Sequence, residues 1–356
     1  MEDYERILYF TDASVNLKGF IVVHSSKFGP AIGGTRMRPY PTEDDALEDA
    51  QRLAKAMTNK AAAAGLNLGG GKAVIIGDPK SQKTEALLMA YGEIINELGG
   101  RYITAEDIGI GVDDLAVIKR STKWVVGCSE KDGGSGDSAP PTALGVLLGM
   151  RAAAEELFGP SGLKGRHVAI QGLGKVGYAL AKTLYKMGVR LTVADVNEEV
   201  TKLAEKEFNA TVVNTMRIHS VDADIFSPCA VGNAINHENM AGIRARIIAG
   251  SANNQLEDEC SDAAFLHSKK ILYVPDFLLN AGGLIHVSEE LHPSGFNRQR
   301  ALWQVAQIYG RVKSVVREVM TNQDTMVSTT QIVNRIVGKR LGSPELVVPP
   351  GDFFGC

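Results

Sequence analysis

His167-Val168-Ala169-Ile170-Gln171-Gly172-Leu173-Gly174-Lys175-Val176-Gly177 is the stretch whose reading decides the fold. An apolar, strand-like run passes directly into G-x-G-x-x-G and opens a helix reaching to about Met187. Asp195 ends the next β-rich run, 18 residues after Gly177. A bare glycine pattern is weak evidence. With a strand before it, a helix after it and an acidic residue closing the following strand, it reads as a dinucleotide site. Gly172 permits the tight turn, Gly174 lets a pyrophosphate approach the backbone, and Gly177 lets helix and strand pack closely. Lys175 and Val176 begin the helix, whose N-terminus favours phosphate charge. Asp195 is placed to accept hydrogen bonds from the adenosine ribose and to repel a 2′-phosphate, so the expected cofactor is NAD. The competing reading, a βα turn that binds nothing, is disfavoured by the combined spacing and context.

Working outward, short β-rich runs recur at His167–Gln171, Leu191–Asp195, Thr211–Val213, Ala223–Ser227, Ala245–Ala249 and Ile271–Val274. Strands alternating with helical segments predict a doubly wound parallel sheet of Rossmann type. Upstream, D-G-G-S-G-D-S-A-P-P at Asp132–Pro141 is the richest Gly/Ser/Pro stretch and marks a hinge. The expected architecture is therefore α/β with two domains: an N-terminal α/β substrate domain over 1–134 and an NAD-binding domain over 135–324. The first domain opens with a hairpin (Ile7–Thr11, Gly19–His24) and continues with a strand at Ala73–Gly77, a helix at about Thr84–Leu98 and a strand at Tyr102–Thr104. Helix is expected from about Asn297 through Met320 and again over Ser328–Leu341, ahead of a Pro/Gly-rich tail.

The first domain carries its own unusual run, Lys60-A-A-A-A-G-L-N-L-G-G-G-Lys72. Three consecutive glycines, Gly69 to Gly71, cost backbone entropy and point to a close approach of the chain to something else, commonly a small anion. Thr42 reads as an N-cap with Asp45 three residues on, followed by an apolar stripe at helical spacing: Ala46, Leu47, Ala50, Leu53, Ala54, Met57. Extending that helix places Lys60 on the buried stripe. An inward lysine needs a negative partner or a depressed pKa. A bound carboxylate would partner Lys60, and Lys72 could be a base whose pKa is lowered by desolvation and a second cation. Asp107 in T-A-E-D-I-G and Gly33-Gly34 in P-A-I-G-G-T-R complete the candidates, with a turn carboxylate the even alternative for Asp107.

Bulk properties exclude several classes. At 356 residues, 44% apolar and 22% charged, the chain is ordinary for a globular protein of two domains. A formal net charge of −3 without a basic stretch argues against nucleic acid. No apolar run approaches the roughly 20 residues of a membrane span. The start, M-E-D-Y-E-R, lacks the look of a secretory signal. The scattered cysteines (Cys128, Cys229, Cys260, Cys356) read as reduced thiols, with neither a disulfide framework nor a metal site expected. A cytoplasmic enzyme is the expectation.

From G-P-A-I-G-G-T-R-M (Gly29–Met37) through A-A-G-L-N-L-G-G-G-K (Ala63–Lys72), V-I-I-G-D-P (Val74–Pro79), G-R-Y-I-T-A-E-D (Gly100–Asp107) and A-G-S-A-N-N-Q-L (Ala249–Leu256) to N-A-G-G-L-I (Asn280–Ile285), the chain resembles the glutamate/leucine/phenylalanine/valine group of amino acid dehydrogenases. The leucine members are the most similar. The resemblance implies reversible oxidative deamination of an L-amino acid to a 2-oxo acid and ammonia with NAD. It assigns Lys60 and the backbone at Gly33-Gly34 to the substrate carboxylate, Lys72 to water activation and Asp107 to proton shuttling. Asn253 would touch both substrate and nicotinamide, and Asn280 would lie near the nicotinamide. Ser138 and Thr142 would contact cofactor, and Pro228, Cys229 and Ala230 would face its adenosine half. Closure at the hinge would exclude water. The C-terminal segment, from about 325 to 356, would return to the first domain, and a homo-oligomer between dimer and octamer is implied. The side-chain pocket falls at Ile32, Ala105, Leu284 and Val287, all apolar, which disfavours glutamate. Leu284 and His286 are similar to the aromatic enzymes at those positions, so a phenylalanine or tryptophan dehydrogenase is the alternative. A non-catalytic NAD-binding protein is disfavoured because Lys60, Lys72 and Asp107 are all present.

Overall fold

The computed structural model describes residues 4–230, 232–322 and 327–342. It divides into two compact units, Met1–Ser138 with Leu284–Arg298, and Ala139–Gly283 with the chain from Gln299 onward.

In the first unit, β1 (Arg6–Asp12) and β2 (Leu17–Ser25) form the expected hairpin, followed by β3 (Ala31–Arg38). Helix α1 (Glu43–Ala63) starts at a Thr42 cap, where Asp45 N donates to Thr42 Oγ1 at 3.1 Å and Thr42 N donates to Asp45 Oδ2 at 3.0 Å. Then come β4 (Gly69–Ile76), α2 (Glu85–Glu97), β5 (Tyr102–Ala105) and α3 (Val112–Ile118). The strands order as β1-β2-β4-β3-β5, with β4 antiparallel to β2 and parallel to β3. Alternation along the strands serves two layers. Phe20, Val22 and Val74 meet Ala46, Ala50 and Ala54 of α1, while Ile21, Val23, Ala73 and Ile75 pack with Leu87, Tyr91 and Ile95 of α2 and Leu115 of α3.

Two expectations change here. The glycines do not form a loop before a strand at Ala73; they are the first half of central strand β4. Their close approach is to the protein itself. A Cβ on Gly70 would lie 2.0 Å from the backbone nitrogen of Thr58 on α1, and one on Gly71 would lie 2.9 Å from the Tyr102 ring. Strand β3 is also an addition, hidden in the sequence by Gly33-Gly34 at its centre.

The second unit begins with α4 (Ala139–Phe158) and runs β6 (His167–Gln171), α5 (Lys175–Lys186), β7 (Arg190–Ala194), α6 (Glu198–Phe208), β8 (Thr211–Val212), β9 (Ile225–Pro228), β10 (Ile247–Ile248), α7 (Glu259–Ser268), β11 (Leu272–Tyr273) and α8 (Asp276–Leu279). The six strands are parallel in the order β11-β10-β9-β6-β7-β8. This is a doubly wound sheet whose direction of winding reverses at β6. Helix α9 (Gly282–Ser288) leads the chain into the returning segment of the first unit, and α10 (Arg298–Thr321) and α11 (Thr329–Leu341) complete the second unit.

Leu284–Arg298 groups with the first unit, and helix α11, the described part of the region from about 325, groups with the second. Helix α11 stays on the second unit, packed on α7 and β11, with Thr329 Oγ1 donating to the carbonyl of Tyr273. Ile332, Val333 and Val337 are among its buried residues. The tail 343–356 lies outside the described residues. The unit boundary falls at 138/139, four residues beyond the expected 134 and within the Gly/Ser/Pro stretch. Cys128, buried, and Cys229, half-buried, carry free thiols. Among the described residues no helix is long and apolar enough to cross a membrane.

Candidate active site

Three strands of the first unit bring its candidate chemistry together. Gly33 pairs with Thr104 and Gly34 with Ala105 across β3 and β5. A Cβ on Gly33 would lie 1.8 Å from the carbonyl oxygen of Gly71, and one on Gly34 would lie 3.0 Å from Asp107 Cβ. The glycine pair thus sits wedged between Lys72 on one side and Asp107 on the other. Lys72 Nζ lies 2.5 Å from Asp107 Oδ2, and Lys72 is only 6% exposed. Burial pushes the Lys72 ammonium down from its ordinary value, and the Asp107 carboxylate only partly offsets this. Burial works against the Asp107 charge too, but Lys72 and Arg36 outweigh it and hold the group below the usual carboxylate range. The result is a buried amine, its ammonium form disfavoured by burial, beside an ionised carboxylate.

Lys60 is half-buried on the last turn of α1. The deepest stripe of that helix is Ala46, Ala50, Ala54, Thr58 and Ala61, so Lys60 flanks it and is not part of it. Its neighbour Ala61 is turned about 100° away on the helix, which is enough to separate core from flank. The cation that the structure sets against Lys72 is Arg36, which sequence reasoning missed. Arg36 Nε lies 3.1 Å from Asp107 Oδ2 and Arg36 Nη1 lies 3.0 Å from Asp49 Oδ2.

Ile32, Leu284 and Val287 are buried in one apolar cluster with Ala61, Ile103 and Val126, and Ala105, Met57 and Trp124 pack on its edge. All the anticipated pocket positions share that cluster. His286, next to it, is buried with Nε2 3.0 Å from the Ser135 carbonyl oxygen and its ring edge-on to Phe296. The carbonyl makes Nε2 the protonated nitrogen.

In the second unit the glycine turn follows β6. Gly172 has φ +96°, and a Cβ there would lie 2.7 Å from the Ala230 side chain. A Cβ on Gly177 would lie 2.1 Å from the Gly172 carbonyl oxygen and 3.2 Å from Cys229 Cβ. Gly174, the N-cap of α5, has nothing within 4 Å of its Cβ position. Helix N–H groups of Lys175 and Val176 therefore begin at an open face, which suits a pyrophosphate. Asp195, just past β7, accepts Leu173 N at 2.6 Å and Asn197 N at 2.8 Å. Those bonds fix the carboxylate beside the turn. Asn280 Nδ2 donates to Asn253 Oδ1 at 2.8 Å and to the Ser251 carbonyl at 3.1 Å, while Asn280 Oδ1 is buried with no hydrogen bond. An orphaned buried acceptor suits a ligand amide donor, and the open glycine turn suits a phosphate. Thr142 lies in the first turn of α4, where its Cα would be 3.0 Å from a Cβ on Gly282. Ser138 belongs to the first unit, its Oγ 3.5 Å from Glu106 Oε1.

A dinucleotide turn on a doubly wound unit, with a buried lysine–carboxylate pair on another α/β unit, defines an amino acid dehydrogenase using a nicotinamide cofactor. A family model described as "Glu/Leu/Phe/Val dehydrogenase, dimerisation domain" matches residues 7–124, and one described as "Glutamate/Leucine/Phenylalanine/Valine dehydrogenase" matches 133–200 and 190–338. The chain belongs to this glutamate/leucine/phenylalanine/valine dehydrogenase family, whose members oxidise CH–NH2 donors. It is 49% identical over 313 residues to leucine dehydrogenase of Geobacillus stearothermophilus, covering 88% of this chain and 84% of the relative. Phenylalanine dehydrogenase of Lysinibacillus sphaericus is 42% identical over 338 residues, covering 94% and 87%. The crystal structure of L-tryptophan dehydrogenase from Nostoc punctiforme superposes with a TM-score of 0.82 at 40% identity, covering 95% of this chain and 96% of that one.

Proposed function

We propose that the chain oxidatively deaminates L-amino acids with apolar side chains, leucine first and valine and isoleucine also, using NAD and releasing the 2-oxo acid and ammonia. The observation that carries this reading is the buried Lys72–Asp107 pair at 2.5 Å beside Gly33-Gly34. A nicotinamide cofactor, its pyrophosphate held at the glycine turn, would supply the hydride acceptor for the substrate α-hydrogen, leaving the imine. Lys60 and the Gly33-Gly34 backbone hold the substrate carboxylate. Lys72, uncharged when poised, takes a proton from a water whose oxygen adds to the substrate carbon. Asp107, ionised at rest, first takes a proton from the substrate ammonium and returns it to the departing nitrogen; ammonia then leaves as the carbonyl forms and the hydroxyl proton passes to Asp107. Asn280 Oδ1 would be free to accept from the carboxamide of the cofactor, and Asn253 would orient the reacting groups. Ser138, Thr142, Cys229 and Ala230 border the cofactor. Asp195 selects NAD by charge repulsion against a 2′-phosphate.

The Ile32, Ala105, Leu284 and Val287 positions carry no charge, which suits an aliphatic side chain and leaves a glutamate γ-carboxylate unpaired. Leucine is preferred over an aromatic substrate because identity to the leucine enzyme is 49%, against 42% for the phenylalanine enzyme and 43% for the tryptophan enzyme. Leu284 and His286 are what favour the aromatic reading. The matched family description, "dimerisation domain", supports a homo-oligomer, and a cytoplasmic location accords with such an enzyme. A panel of L-amino acids with NAD and with NADP, followed by reduced-cofactor absorbance at alkaline pH, tests the proposal. The expected outcome is the highest kcat/KM for leucine with NAD. A higher value for phenylalanine or tryptophan overturns the substrate choice, and equal rates with NADP overturn the role of Asp195.

A further inference from the structure

Asp107 does not face Lys72 alone. The same oxygen, Oδ2, that lies 2.5 Å from Lys72 Nζ also lies 3.1 Å from Arg36 Nε. Arg36 is itself gripped from the other side, with Nη1 3.0 Å from Asp49 Oδ2 on α1. Asp49 further accepts Tyr40 OH at 2.7 Å and Arg52 Nη2 at 2.9 Å, and Arg38 stacks over the Tyr40 ring. The side chains of Arg36 and Asp49 are each only 14% exposed. Charges of alternating sign therefore run from β4 (Lys72) through the end of β5 (Asp107) and β3 (Arg36) to α1 (Asp49, Arg52).

An arginine keeps its proton under all ordinary conditions, whereas a buried lysine can lose one. Placed on one carboxylate oxygen, the two cations are not equivalent. We propose that Arg36, braced by Asp49, is a positioning residue for the reaction: it keeps Asp107 a carboxylate turned towards Lys72 and makes Lys72 the member of the trio that gives up its proton. The proposal rests on Lys72 being the base. Burial is the largest influence lowering Lys72, Asp107 opposes it, Arg36 adds to it and Asp49 opposes it more weakly. Burial also works against the charge on Arg36, which Asp107 and Asp49 restore. The two outer residues thus act on Lys72 with opposite sign.

That opposition gives a test which a purely structural role would not pass. In the intact enzyme, the acid limb of kcat/KM for oxidative deamination reports the deprotonation of Lys72. Arg36→Leu should move this limb to higher pH by about one unit or more, a loss of about tenfold one unit below the wild-type limb. Arg36→Lys, which keeps the charge, should recover most of the shift. Asp49→Asn should move the limb the other way, to lower pH, since Arg36 then turns wholly to Asp107. If Arg36→Leu does not fold, Arg36→Lys and Asp49→Asn still carry the comparison. Limbs that stay in place, or that move in the same direction for the Arg36 and Asp49 variants, overturn the inference. Lys72→Ala separates this from the underlying reading: a dead Lys72 variant with unmoved limbs removes only the role of Arg36, while an active one removes Lys72 as base.

Discussion

Asp49 and Asp107 are both held below the usual carboxylate range, each against the opposing effect of burial, by Arg36 with Tyr40 and Arg52 in one case and by Lys72 with Arg36 in the other. A carboxyl group whose folded value lies below its unfolded value of ~3.9 contributes stability that is present above that value. The contribution is lost as pH falls through the folded value, because the unfolded chain takes up protons first. Urea midpoints measured from about pH 5 to about pH 3 should therefore fall more steeply for wild type than for Asp49→Asn, which has one such group fewer. Parallel curves would contradict the assignment. Lys72 and Asp107 were legible as candidates because a lysine beside three glycines and an aspartate past a strand end are local signals. Arg36 and Asp49 were not. Arg36 meets Asp107 across 71 residues and Asp49 across 13, and nothing in P-A-I-G-G-T-R marks the arginine as turned inward.

At the scale of elements, glycines do two different jobs. On β4 they admit protein: Gly70 receives the backbone of α1, with Thr58 N 2.0 Å from the position of an added Cβ. At the start of α5 they leave space, and a Cβ added to Gly174 would meet no side chain or distant backbone within 4 Å. Gly70→Ala must push a helix off its sheet and should cost about 1–3 kcal/mol or more, as overpacking does. Gly174→Ala should leave thermal stability far closer to wild type but weaken cofactor binding, because its methyl stands where the pyrophosphate approaches. Thermal denaturation and fluorescence titration with NADH check both, and wild-type NADH affinity in Gly174→Ala would contradict the reading of that turn. The six strands of the second unit were readable as short β-rich runs between helices, and Thr42–Asp45 as a cap, since both are local patterns. Strand β3 was hidden because a central strand carrying two adjacent glycines lacks the β-branched signature.

At the scale of the whole molecule, the chain leaves its first unit after Ser138, builds a doubly wound unit and gives Leu284–Arg298 back to the first. That return places Leu284 and Val287 against Ile32 and Ile103, so one wall of the apolar cluster is contributed from about 250 residues downstream. Amphipathic periodicity in Thr329–Leu341 signals a buried face without saying what buries it. The catalytic proposal places the base in the first unit and cofactor binding in the second, so the two functions should separate by mutation. The most direct test is Lys72→Ala assayed with leucine and NAD at alkaline pH alongside an NADH titration. The account predicts NADH binding close to wild type and leucine oxidation reduced by at least about a thousandfold, within the range for loss of a general base. Leucine oxidation at the wild-type rate in that variant would contradict it.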